Sequence, residues 1–446
     1  MIGFLGIALI LGVAFLLSNN RKAINYRTVG MGLLLQALLA VFILKTPVGK
    51  RIFEWLGNAV TKVLNFSDEG ARFVFGILAD QTAFGNVLKA TAASAEVGQQ
   101  PWVKDSLGNP VFFGGFIFFF KIIPTIIFVA CLVNIFYHLG VIQKIVEWLA
   151  KGMNYFMKVS GAESLSNISS AFVGQVEAQI MIKPYLKGMT MSELMASMTG
   201  SFACIAGGVM ATYILFGVKA EYLIAASIMA APGALAIAKI MYPETEASET
   251  KGVVKLKVGK EHSNIVDAIS AGCSDGLKVG MNVLAMLIGF LALIALINFL
   301  LLKVGGTINY IGLTKDVLFG WDPCTLSLDT ILGALFSVFA WTMGVPWNEA
   351  PQAGALMGTK LVANEFVAYL HLKDIIAGNL LSEKTIVIVS FALCGFANFG
   401  SVGIQIGGIS ALEPSRRADL AKLAFRALIG GTMASYLSAT LAGLLY

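Results

Sequence analysis

The feature that most limits this chain is a succession of long apolar runs with very little charge between them. Ile2–Ser18, Val29–Leu44, Gly114–Leu139, Glu221–Met241 and Asn282–Leu302 each approach the roughly 20 apolar residues a helix needs to cross a bilayer. Thr385–Leu393, with the glycine-rich stretch after it, and Ala424–Leu445 are further candidates. Charged residues make up 13% of the 446, about half the roughly 25% of a soluble domain, so lipid must cover much of the surface. In hydrocarbon every backbone polar group has to be paired internally, which permits helices or a closed barrel. The runs are continuous rather than alternating, so the expected fold is an all-α polytopic membrane protein.

Other classes are closed off one at a time. Cys131, Cys204, Cys273, Cys324 and Cys394 show no CxxC spacing, so neither a disulfide framework nor a zinc site is indicated. His138, His262 and His371 lie far apart, which leaves no metal centre and no cofactor predicted. The net charge of +6 is spread through loops, without the basic block that nucleic acid would require. There is no GxSxG, HExxH, acidic metal motif or P-loop. A membrane enzyme would therefore rest on paired carboxylates alone, and a channel is the other class left open. The phenylalanine run Phe112–Phe120 reads as ordinary lipid or core packing. The amino terminus lacks a basic n-region and a small-residue cleavage site, so it reads as a retained first span. Arg21, Lys22 and Arg27 place the loop after it in the cytoplasm.

Several segments are apolar but interrupted. Lys50–Leu64 and Val141–Val159 carry charge on one helical face and read as helices lying at the interface. Pro243–His262 sets Glu244, Glu246 and Glu249 against Lys251, Lys255, Lys257 and Lys260, and reads as an exposed linker between two halves. Each half then shows the same pair of features. In the first, Gly174-Gln175-Val176-Glu177 lies in the short semi-polar stretch Ser164–Met189, and the next apolar segment is broken between Ser201 and Gly208. In the second, Ala363-Asn364-Glu365-Phe366 lies in Gly358–Tyr369, and the next segment is broken between Gly395 and Gly403. Matched interruptions of this kind point to a transporter built from inverted repeats, with its site where the repeats meet.

A carboxylate inside a membrane segment costs at least about 2.5 kcal/mol on insertion scales and is a functional candidate by default. Glu177 and Glu365 both qualify, each beside an amide, Gln175 and Asn364. Two carboxylates with amides and a hydroxyl suit a polyol such as a ribose, because carboxylates accept hydroxyl protons while amides donate and accept. The bland alternative is that each glutamate caps a half-helix or pairs with a lysine such as Lys183 or Lys360. Unwound backbone at the breaks exposes carbonyls that can hold a cation or a polar substrate; Asn398 and Ser401 lie on the second break. Phe396 and Val209 offer an apolar slot for a flat ring, against a background in which most aromatic residues simply pack.

At this point the residues resemble a known family. Gly174-Gln175-x-Glu177-Ala178, Ala363-Asn364-Glu365-Phe366-Val367-Ala368-Tyr369 and Gly395-Phe396-Ala397-Asn398 look like signature segments of concentrative nucleoside transporters, closest to the bacterial members. Gly344-Val345-Pro346-Trp347-Asn348-Glu349-Ala350 and Ala230-Ala231-Pro232-Gly233 fit as well. The resemblance implies a multi-pass inner-membrane homotrimer in which a transport domain moves like an elevator against a scaffold. It further implies about eight transmembrane helices plus two re-entrant hairpins. The domains would be scaffold helices in 1–140, a first transport repeat in 141–242, a polar linker in 243–263, a scaffold helix region in 264–325 and a second transport repeat in 326–446. The first hairpin would carry Gln175, Val176 and Glu177 as substrate-binding residues; family roles place Glu177, Glu365, Asn398 and Ser401 on the ribose, and Gln175, Val209 and Phe396 about the base. The Gly174-Gln175 pair resembles members that take pyrimidines or both base classes.

Two departures bear on mechanism. The hydroxyl residue usual between Gln and Glu is Val176 here, and the usual small residue or proline two after Glu is Gln179. A lost hydroxyl can shift selectivity strongly, so the base preference of relatives does not carry over. Sodium-coupled members have an asparagine five before that Gln and a serine on the first unwound helix, where this chain has Ser170 and Cys204. Sodium wants hard oxygen ligands, and the sulfur of Cys204 is soft, which leaves mainly backbone such as that of Val173 and Ile205. The expectation is proton symport, with sodium the alternative; Glu177 and Glu365 are the candidate proton carriers, since buried carboxylates suit that task.

Overall fold

The computed structural model describes residues 2–80, 82–87, 103–104, 110–111, 117–251, 262–310 and 326–446. Cys324, Phe112, Phe113, Phe116, Lys255, Lys257 and Lys260 lie outside the described residues, as does 311–325 of the expected scaffold region. Among the described residues six helical stretches are long and apolar enough to cross a membrane: Tyr26–Lys45, Phe118–His138, Met191–Leu215, Ala220–Met241, Ile265–Thr307 and Pro414–Leu445. The shorter Ile2–Leu16 and the broken pair Glu383–Leu393 and Phe399–Leu412 complete the expected set. Apart from a short antiparallel pairing of Val103–Lys104 with Pro110–Val111, the described regular structure is helical, and the chain is a nearly all-α, multi-pass membrane protein.

After the first spans the same order of elements runs twice. In the first pass it is Phe118–His138, the surface helix Val141–Met157, a hairpin (Gly161–Ser170 and Glu177–Ile180), a helix broken between Met191–Ala203 and Gly207–Leu215, and Ala220–Met241. In the second it is Ile265–Tyr310, Leu328–Thr342, a hairpin (Ala350–Val362 and Glu365–Ala377), the broken pair at 383–412, and Arg417–Leu445. Local chemistry sets these starts. Ser160 and Thr190 form capping boxes with Glu163 and Glu193, while Ser327, Asn364, Ser382 and Asn398 each accept a backbone N–H of the first turn. Such caps satisfy N–H groups that otherwise have no partner in a helix's first turn.

Burial separates core from periphery. Of the most apolar stretch of Ala220–Met241, 89% is buried, against 11% for Ile265–Thr307. The buried helix packs on Tyr26–Lys45 and Arg417–Leu445, while the long helix packs chiefly on Phe118–His138. There Gly272 and Gly276 bring the two backbones into contact: a Cβ at either would come within 2.7 Å of the Cα of Cys131 or Ile127. Val141–Met157 buries only Val146, Ala150, Met153 and Met157, one stripe of a helix lying on the surface.

Two expectations need correction. The long helix has 46 residues, about 69 Å at 1.5 Å per residue, far beyond the expected span Asn282–Leu302. Its amino-terminal third carries Asp267, Asp275 and Lys278 and scans as polar, yet its glycines seat it on Phe118–His138. The stretch after Pro243 is not a free linker at its start. Thr250 is buried, Glu244 approaches Lys239, and Ser160 bridges Lys251, so 243–251 clasps the base of the first hairpin.

Candidate functional site

The two helix breaks meet each other. Phe396 N–H donates to the carbonyl of Cys204 at 3.2 Å, so one unwound segment partly satisfies the other. Gly395 has φ +130°, and a Cβ there would come within 2.7 Å of Phe202 O and 2.8 Å of Ala203 O. Both the left-handed backbone and the close crossing require glycine. Ser435 Oγ donates to the carbonyl of Cys394 at 2.8 Å, pinning the crossing to Arg417–Leu445. Irregular backbone at membrane depth is tolerated when it is enclosed in this way.

Asn398 leaves the second break, and Asn364 the turn of the second hairpin, by capping the following helix. Asn398 Oδ1 accepts Ser401 N–H at 2.8 Å, and Asn364 Oδ1 accepts Val367 N–H at 2.9 Å. The cap at Asn398 turns its amide nitrogen to Glu365, donating to Oε2 at 2.8 Å. Tyr213 Oη donates to the other oxygen of Glu365 at 3.2 Å. Tyr213 in turn stacks on Tyr369 at 4.2 Å, and Phe366 lies edge-on to Tyr213, Phe216 and Phe118. Glu365 is thus a buried carboxylate fixed by two donors in front of an aromatic wall. Lys360, its suggested lysine partner, is buried and donates instead to the carbonyl of Ala392 at 2.9 Å.

One cavity gathers Gln175, Val209, Glu365, Phe396, Asn398 and Ser401. Gln175, on the first hairpin, reaches across to Ser401 on the second broken helix at 3.5 Å. Val176 and Glu177 do not line this cavity. Val176 packs against Gly408, and the exposed Glu177 folds its carboxylate back over Gly174. Of the coupling-ion candidates, Ser170 Oγ donates to Ser166 O at 2.8 Å and contacts Ser201 Oγ at 3.0 Å. Cys204 directs its sulfur to the carbonyl of Ser227 at 3.7 Å, and Val173 and Ile205 are buried beside them.

Sequence reasoning missed Tyr213 and Gln405, and also Val283, Met286, Leu287 and Phe290 of the long helix, which close the cavity from the other side. Spacing held the clue in each case. Tyr213 follows Val209 by one turn, and Gln405 follows Asn398 and Ser401 on one helical face. The four apolar residues form an i, i+3, i+4, i+7 stripe. Gln405 is fully buried with its amide nitrogen 3.5 Å from Gln175 Oε1.

Comparison with known proteins adds independent findings. Residues 222–443 match the family described as Na+ dependent nucleoside transporter C-terminus, 5–78 its N-terminal counterpart, and 119–220 a gate family described as nucleoside recognition. The chain is 36% identical over 442 residues to the nucleoside permease NupC of Helicobacter pylori, covering 98% of this chain and 96% of that one. It is 36% identical to sodium/nucleoside cotransporter 1 of Mus musculus, covering all of this chain and 64% of that longer protein. The solved structure of CNTnw in an inward-facing substrate-bound state aligns with a TM-score of 0.85 at 37% identity, covering 100% of this chain and 98% of that one. A CNTnw variant in an outward-facing state aligns with a TM-score of 0.86, also at 37% identity, covering 100% and 97%.

Proposed function

The chain belongs to the concentrative nucleoside transporter family, a family of carriers rather than enzymes, and on that premise we propose that it imports nucleosides in symport with protons. The observation that carries the site assignment is the fixed carboxylate of Glu365, held by Asn398 and Tyr213 in a cavity shared by both repeats. A ribose hydroxyl donates to such a carboxylate, while Asn398 and Ser401 supply the complementary donor and acceptor. Gln175 offers an amide to a base lying between Val209 and Phe396. Glu177 completes the ribose contacts by swinging in from its exposed position as substrate arrives. The cargo is a pyrimidine nucleoside or either base class.

The proton reading is supported by what surrounds Ser170 and Cys204. The Ser170 hydroxyl is committed within the protein, and Cys204 offers sulfur rather than oxygen. That leaves little beyond backbone carbonyls for a hard cation. Glu177 or Glu365 carries the proton, because a carboxylate taken out of water is discharged most cheaply by a proton. Sodium coupling is the second reading, favoured by the family description. The exposed apolar face of the long helix suits a homotrimer whose scaffold stays fixed while both hairpins and both broken helices travel together as an elevator.

The test is binding of uridine and adenosine to purified protein and to Glu365→Gln. The variant keeps its shape and loses the charge, and should bind neither nucleoside while remaining folded. Wild-type affinity in Glu365→Gln would remove Glu365 from the site.

A further inference from the structure

Two residues beyond Glu177, and outside the cavity, Gln179 sits fully buried among three serines, with Ser170 joined to them at one remove. Its amide nitrogen donates to Ser201 Oγ at 2.8 Å and Ser166 Oγ at 3.1 Å. Its carbonyl oxygen accepts from Ser197 Oγ at 2.6 Å. Ser166 and Ser197 are 2.6 Å apart, and Ser170 lies 3.0 Å from Ser201 while donating to Ser166 O. Every proton in the cluster can then be placed. Ser197 gives its own to Gln179, so Ser166 donates to Ser197, and Gln179 donates to Ser166: a closed ring of three. Ser170 gives its own to a carbonyl, so Ser201 donates to Ser170, and the second amide proton of Gln179 goes to Ser201.

This network joins three elements. Ser166 and Ser170 lie on the first arm of the first hairpin, Gln179 on its second arm, and Ser197 and Ser201 on Met191–Ala203, the helix that ends at the first break. The hairpin turn between the arms carries Gln175, and Gln179 N–H also donates to Val176 O at 2.9 Å. The same helix reaches Gln175 from the other side, because Met198 O lies 3.4 Å from the amide nitrogen of Gln405, which in turn approaches Gln175. The turn is therefore held by the second arm below it and by Gln405 beside it.

We infer that Gln179, with Ser166, Ser170, Ser197 and Ser201, is a positioning clamp that fixes the first hairpin's turn, and so Gln175 and the backbone from which Glu177 swings, against the broken helix for nucleoside binding. The inference rests on the nucleoside reading and on Gln175 belonging to the site. An amide suits the hub because it donates twice and accepts from one planar group. A side chain without it leaves the serines to re-pair or stay unsatisfied at a buried site.

The test uses the full chain with Gln179→Met, which keeps volume and flexibility but removes the amide, together with Ser201→Ala and the double variant. Uridine and adenosine binding are measured by calorimetry on purified protein, and thermal unfolding in parallel. Each single variant should raise Kd by about tenfold, and the double variant by much less than the product, the non-additivity of residues in one network. Lower thermal stability with unchanged Kd would reduce the cluster to packing and overturn the inference. If Gln179→Met fails to fold, Ser197→Ala and Ser201→Ala each break one arm alone, and unchanged Kd in both overturns it equally. Absence of nucleoside binding in the wild type would instead refute the nucleoside reading itself.

Discussion

Asn398 performs two separable tasks, and substitution can remove either. Its Oδ1 caps the helix Phe399–Leu412 through Ser401 N–H, and its Nδ2 donates to Glu365 Oε2, both at 2.8 Å. The cap is worth about 1 kcal/mol of stability, and the hydrogen bond to a charged group about 1.5–3 kcal/mol. Asn398→Ser keeps a capping oxygen but cannot reach Glu365. The cap's contribution should therefore be kept to within about 0.5 kcal/mol, with stability losing at most the roughly 1.5–3 kcal/mol of the bond to Glu365, while nucleoside affinity falls by roughly 10- to 150-fold. Asn398→Asp also keeps the cap but sets a second carboxylate near Glu365. At roughly 3 Å and an effective dielectric of about 20 that repulsion is about 5.5 kcal/mol, so binding should be lost. Asn398→Ala should lose both affinity and the cap. Calorimetric titration with uridine and adenosine, alongside thermal unfolding, separates the outcomes. Wild-type affinity in Asn398→Ser, or losses that appear only in unfolding, would refute the view that this amide prepares Glu365.

Further consequences concern the frame and the ion. Lys239 Nζ lies 2.7 Å from Glu163 Oε2 and donates to Ser192 Oγ at 2.9 Å, a buried pair tying the first hairpin to two helices. Glu163→Gln leaves the ammonium only the more distant Glu244 at 3.6 Å and should lower thermal stability by less than the about 3–5 kcal/mol of a fully unpaired buried charge, part of which Lys239→Met in the same chain should restore. No change in unfolding temperature would contradict that. Gly395→Ala forces a Cβ onto Phe202 and Ala203 carbonyls at positive φ; uptake should be abolished, and normal uptake would show that the crossing yields. Ser170→Asn with Cys204→Ser should create sodium-stimulated uptake, and an active double variant indifferent to sodium would separate these positions from ion choice.

Much of this was legible in the sequence, for identifiable reasons. Spans such as Ala220–Met241 declare themselves because hydrocarbon demands continuous apolar helix. The break at Gly395 was readable because glycine there has no apolar purpose, whereas its crossing with the first break was not. Glu365 stood out as a charge in an apolar segment. What stayed hidden depends on side-chain direction and on partners distant in sequence. The turn that presents Gln175 to the cavity leaves Glu177 exposed. Ser166, Ser170, Ser197 and Ser201 resemble small packing residues until Gln179 is seen among them. The long helix from Ile265 was underestimated because its charged residues mask glycines that meet a helix more than 130 positions earlier.

The central claim, nucleoside import driven by protons, is tested most directly by uptake of labelled uridine into sodium-free proteoliposomes under an inward proton gradient, with unlabelled adenosine as competitor. The account predicts accumulation above equilibrium that collapses with a protonophore and is unaffected by adding sodium. Accumulation only after sodium is added would contradict it, and would mean that backbone oxygens near Val173 and Ile205 suffice to bind the ion.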